Sequence, residues 1–136
     1  MDRVVLTEKL ESLRRSISRI EEKYAASKNN LQSDYDAQDI ISLNLTRAVQ
    51  LCVDIAAHII AETDVTPPVS MSDAFVKLSD LKLIGEALSE RIVSAVGFRN
   101  LAIHSYEKIN WDIVKSLCEY HLSDFKLFSK KIDALL

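Results

Sequence analysis

Apolar residues recur along this chain at the three- and four-residue spacing of an α-helix, from near its first residue to its last. Over 2–26, Leu6, Leu10, Leu13, Ile17, Ile20 and Tyr24 fall four, three, four, three and four apart, one continuous seam. The other faces hold Glu8, Glu11, Arg14, Arg15, Arg19, Glu21 and Glu22, a solvated surface, and the polar run Ser27-Lys28-Asn29-Asn30 ends the element. A second predicted helix, 36–63, carries Ile41, Leu45, Ala48, Cys52, Ile55 and Ile59 in the same register. Leu43, Val49, Leu51, Val53 and Ile60 widen its apolar face, which predicts a position at the centre of the fold or in an oligomer contact.

Asp64-Val65-Thr66-Pro67-Pro68 is the clear break, because consecutive prolines cannot continue a helix. Ser72-Asp73 is expected to cap a short helix bearing Phe75, Val76, Leu78 and Leu81. After Ile84-Gly85 a fourth helix, 86–103, turns Leu88, Ile92, Val96 and Phe98 or Ile103 inward. Gly97 inside it costs about 1 kcal/mol relative to alanine, which points to close approach of another backbone. The last helix takes Asn110 as its cap. It runs Trp111, Val114, Cys118, His121, Phe125, Phe128, Ile132 and Leu135 without a slip, which places His121 in the core. The whole reads as one domain over 1–136, an all-α antiparallel bundle of four or five helices.

Composition supports this. Two glycines and two prolines in 136 residues are too few for a turn-rich β fold. The formal net charge of -3 excludes a general, strongly basic nucleic-acid binder. The stretch 91–115 is mildly basic, with Arg91, Arg99, Lys108 and Lys115 against Glu107 and Asp112. Cys52 and Cys118 both lie in apolar stripes, as small core hydrophobes of a reducing compartment. The opening is charged and amphipathic, unlike a signal peptide, and no run reads as apolar for long enough to cross a membrane. A cytoplasmic location with no membrane partner is expected. The histidines, cysteines and carboxylates lack metal-ligand spacing, and no phosphate loop or serine-nucleophile signature occurs, so neither metal nor cofactor is expected.

The chemistry concentrates in Arg99-Asn100-Leu101-Ala102-Ile103-His104-Ser105-Tyr106. Arginine offers a permanently charged fork that suits phosphate, and histidine exchanges protons near neutral pH. Together they suggest work on a phosphodiester. Five residues of helix rotate Arg99 and His104 about 140° apart, so an irregular turn after His104 is needed to swing it back. Asn100 and His104, four apart, share a face, and Asn100 is placed to orient the imidazole by a hydrogen bond. The plainer alternative stays open at this point: a solvated Arg99, a His104 favoured by the helix dipole, and a Tyr106 that merely packs. Asp54 and His58, four apart on the second helix, read as a hydrogen-bonded structural or interface pair.

The Arg-Asn-x3-His-x-Tyr string resembles the Arg-x4-His-x-Tyr motif of HEPN-domain proteins, in particular the HepT-like toxin family. Ala95-Val96-Gly97-Phe98 before it, Ile109-Asn110-Trp111-Asp112 after it, and Cys52-Val53-Asp54-Ile55-Ala56-Ala57-His58-Ile59 on the second helix are similar to that family as well. The likeness covers essentially the whole chain. It implies a metal-independent endoribonuclease acting as the toxin of a type II/VII-like toxin–antitoxin pair, with RNA as substrate. The implied partner is a nucleotidyltransferase antitoxin that transfers AMP to the motif tyrosine. Carried onto this chain, Arg99 and His104 are catalytic, Asn100 supports them and Tyr106 is the modified residue. Acid, base and phosphate clamp together need more than one motif supplies, so a homodimer with a composite cleft is expected. The contrasting expectations are a non-catalytic helical module binding protein or nucleotide, and a plain helical adaptor.

Overall fold

The Asp2 carboxylate accepts the amides of Val4 and Val5, each at 3.1 Å, and starts α1, Arg3–Ser27. The structure, a computed structural model, describes residues 2–136. Asp34 accepts the Ala37 amide and starts α2, Tyr35–Ile60. After the proline break come α3, Met71–Asp80, and α4, Glu86–His104. A 3-10 turn at Tyr106–Lys108 leads to α5, Trp111–Tyr120, and α6, Leu122–Asp133. Among the described residues there are six α-helices and no strand.

Every residue of the α1 seam is buried, and so are Ile41, Leu45, Ala48, Cys52, Ile55 and Ile59 of α2. These two helices form the largest contact of the fold, and α2 also packs on α3, α4 and α6. It is the central helix, as its widened apolar face predicted. Its apolar content is high enough that, by length and composition alone, it passes as a membrane-crossing segment, contrary to the expectation above. Half of that segment is buried inside the bundle, with Val49 and Ile60 of the widened face inside and Leu43 exposed. Phe75 of α3 and Phe128 of α6 meet edge to face with centroids 6.0 Å apart. Such a pair adds about 1 kcal/mol beyond its area burial. Both cysteines are free and buried, and burial pushes their thiols well above the ordinary range.

Four local expectations need correction. The α3 cap is Ser70, whose hydroxyl accepts the Asp73 amide at 3.0 Å while Asp73 accepts the Val69 amide at 2.9 Å. This reciprocal arrangement satisfies two donors that a cap at Ser72 would leave free. The last helix is two helices. His121, at φ −121° and ψ −2°, separates α5 from α6, so its side chain is exposed. The buried seam passes from Cys118 to Leu122 instead. Asp124, buried in the first turn of α6, accepts Arg91 Nε at 2.7 Å and lies 3.3 Å from His121 Nδ1, which ties the bend to α4. In α4, Leu88, Ile92 and Val96 are buried as expected, but Ile103 is 48% exposed and Phe98 only half-buried. Finally, a Cβ built on Gly97 meets no atom within 4 Å, so no backbone of this chain approaches it.

Candidate functional site

From Gly97 to the end of α4 no residue is buried, although Phe98, Leu101, Ala102 and Ile103 are apolar. The motif occupies this stretch. Helical hydrogen bonding runs on through His104, and the chain leaves the helix only at Ser105, where φ is −151° and ψ 53°. The irregular turn falls after His104 as expected, but His104 itself stays helical, so the turn does not bring it round to Arg99. Within one chain the two side chains leave the axis about 140° apart.

Arg99 Nη1 donates to Asn100 Oδ1 at 3.2 Å, while its Nε–H is buried without a partner. A buried guanidinium donor with nothing to bind is costly, and an anion is the partner its chemistry suits. Asn100 is thus engaged with Arg99; the expected bond from Asn100 to His104 does not form. The His104 imidazole is exposed at the end of the helix and makes no hydrogen bond within the described chain.

Ser105 swings the next residue back over α2. There the Tyr106 hydroxyl donates to Asp39 Oδ1 at 2.6 Å. The Tyr106 ring also meets Trp111 edge to face, with centroids 5.9 Å apart. Burial first, and then the Asp39 carboxylate, push the phenol up to about 12. Asp39 was not legible as a site residue. It lies 67 positions before Tyr106, on the exposed side of a helix, and no spacing rule links them.

Asp54 and His58 do not pair with each other. Asp54 accepts Gln50 Nε2 at 2.9 Å and sits 3.8 Å from Lys9 Nζ, which leaves His58 Nε2 buried and unpartnered. The amide at i−4 reaches the carboxylate first. Beside the motif, α4, α5 and α6 enclose a groove of about 560 Å³. Gly97, Phe98, Leu101, Ile113 and Leu117 line it, with Arg91, Lys108 and Asp124 at its polar edges. No cluster of three or more His, Cys, Asp or Glu side chains among the described residues is arranged to hold a metal.

An all-helical bundle that ends a half-exposed helix in Arg-x4-His-x-Tyr defines a protein of the HEPN class. Residues 13–132 match the family described as Ribonuclease HepT-like, and the chain belongs to that family of toxin–antitoxin nucleases. It is 35% identical to the mRNA nuclease HepT of Shewanella oneidensis, over 96% of this chain and 97% of that one. It is 23% identical to the tRNA nuclease HepT of Aphanizomenon flos-aquae, over 98% of this chain and 90% of that one. Among solved structures, a tri-AMPylated Shewanella oneidensis HEPN toxin in complex with an MNT antitoxin superposes with a TM-score of 0.92 at 35% identity. That match covers 98% of this chain and 99% of the other.

Proposed function

We propose that this chain is a toxin that cleaves RNA in the cytoplasm, acts as a homodimer, and is neutralised by AMP transfer to Tyr106 from a nucleotidyltransferase antitoxin. The observation that carries the reading is the second half of α4. It presents an Arg99 donor without a partner, an unengaged His104 and a run of apolar residues that the chain covers only in part, all on one stretch of helix. One chain splays the two reactive groups apart. A second copy packed on the groove through a twofold axis covers Phe98, Leu101 and Ile113 and sets one copy's Arg99 against the other's His104.

In such a cleft no metal is required. One His104 takes the proton of the RNA 2′-hydroxyl, whose oxygen attacks the adjacent phosphorus. The bond from phosphorus to the 5′-oxygen breaks, and the other His104 returns a proton to that oxygen. Arg99 from each copy neutralises the charge that builds on the equatorial oxygens, with Asn100 holding the guanidinium in place. The products are a 2′,3′-cyclic phosphate and a 5′-hydroxyl. AMP on Tyr106 places a competing phosphate and a bulky nucleoside at the mouth of this cleft, which repels the RNA backbone. The tri-AMPylated state of the Shewanella toxin and its complex with an MNT antitoxin support this route of control.

The test is RNA cleavage by purified dimer, with the ends of the products analysed. His104→Ala is expected to lower cleavage by at least about 100-fold, the scale of general acid–base loss, while the dimer persists. His104→Ala cutting at the wild-type rate removes His104 from the catalytic machinery, whereas a wild-type dimer that cuts no RNA removes the nuclease assignment and leaves a helical interaction module.

A further inference from the structure

Among the described side chains, the carboxylate of Asp39 is the acceptor that holds the Tyr106 hydroxyl, at 2.6 Å. That length is typical of a hydroxyl bound to an ionised carboxylate. The geometry is set from three sides. Ser105 leaves α4 in an irregular turn, Trp111 braces the ring by its edge, and α2 presents Asp39 one turn into its length. Asp39 is itself exposed and Tyr106 is 37% exposed, so a reagent can reach the hydroxyl while the carboxylate stays in contact with it. A phenol held neutral at physiological pH is a weak nucleophile, and its attack on phosphorus calls for a base already touching the hydroxyl.

We propose that Asp39 is the proton acceptor for AMP transfer to Tyr106, an inference that rests on the reading of Tyr106 as the AMP acceptor. The Tyr106 oxygen forms a bond to the α-phosphorus of ATP. The bond from that phosphorus to the oxygen bridging to the β-phosphate breaks, and pyrophosphate leaves with the electron pair. The phenolic proton passes to Asp39 Oδ1 and from there to water. The toxin in this way supplies part of the machinery for its own modification. Once the ester has formed, the hydroxyl hydrogen that linked Tyr106 to Asp39 is gone, and two anionic groups stand where one hydrogen bond stood.

The experiment compares wild type, Asp39→Asn and Asp39→Ala as full-length toxin with the cognate nucleotidyltransferase and ATP. Intact mass and peptide mapping quantify AMP on Tyr106, and initial rates over a range of toxin concentrations separate kcat from KM. The amide keeps an acceptor oxygen but cannot take the proton at neutral pH. Both variants are therefore expected to lose about 100-fold in kcat with KM for the toxin unchanged. Circular dichroism and dimer mass serve as folding controls. Asp39→Asn at the wild-type kcat overturns the inference, and so does a loss confined to Asp39→Ala, which reveals a purely orienting contact. No AMP on Tyr106 of the wild type overturns the neutralisation reading itself, and this inference with it.

Discussion

Within α4, residues 86–96 send Leu88, Ser89, Ile92, Ala95 and Val96 into the core, whereas residues 97–104 bury nothing. Both halves are about equally apolar and belong to one unbroken helix. What separates them is the neighbour. α4 as a whole packs on α2, α3 and α6, but its second half meets the core only through the partly buried Phe98, Leu101 and Ala102 and opens on the groove shared with α5 and α6. A helix whose apolar residues ring the axis instead of forming a stripe cannot bury all of them against one neighbouring layer. The chemistry sits on the half that the single chain covers only in part. Local order there rests on few tertiary contacts, which suits a surface completed by another molecule.

The sharpest way to break this contrast is to attack each half separately. Phe128→Ala removes a fully buried ring that packs on Phe75 and is expected to destabilise the chain by about 3–5 kcal/mol, read from urea unfolding. A loss under about 1 kcal/mol would mean that the inner region is less tightly packed than its burial implies. Ile113→Asp comes next. Ile113 is 61% exposed at the groove, so the folded monomer should change by no more than about 0.5 kcal/mol. Sedimentation should nevertheless show a monomer, and RNA cleavage should vanish with the dimer. A variant that stays dimeric and active would place the second copy elsewhere.

The smallest expected effect is alkaline. The Tyr106 phenol is raised in the fold to about 12, against an ordinary value near 10. Its contribution to stability is therefore fully present below pH 10 and is lost as pH rises towards 12. Tyr106→Phe should flatten that decline, by a small fraction of the loss because the hydroxyl is partly solvated. Unfolding measured at pH 9 and pH 11 in the two proteins gives the difference. Equal declines would show that the contact with Asp39 adds nothing to the fold.

Much of the fold was legible because burial in a bundle follows helical periodicity. All six seam positions of α1 and all six of α2 are inside. The reading failed where a tertiary contact overrode the period. His121 has the right spacing for the core, but the Asp124 link to Arg91 and the bend between α5 and α6 turn it to solvent. Gly97 suggested close approach of another backbone and instead faces open space in the groove. Asp54 and His58 have pairing distance along the helix, yet Gln50 and Lys9 take the carboxylate.

For the site, the string from Arg99 to Tyr106 carried the family and the residue types needed for phosphodiester chemistry, because those are local properties of the chain. Its order along α4 also determined that Arg99 and His104 diverge, a consequence of 3.6 residues per turn. The tertiary structure alone decided that Asn100 serves Arg99 and that Asp39 receives the Tyr106 hydroxyl. It alone left the apolar end of α4 half-covered. Hydrogen-bond partners far apart in sequence depend on how helices are packed, and no periodicity along one helix encodes that packing.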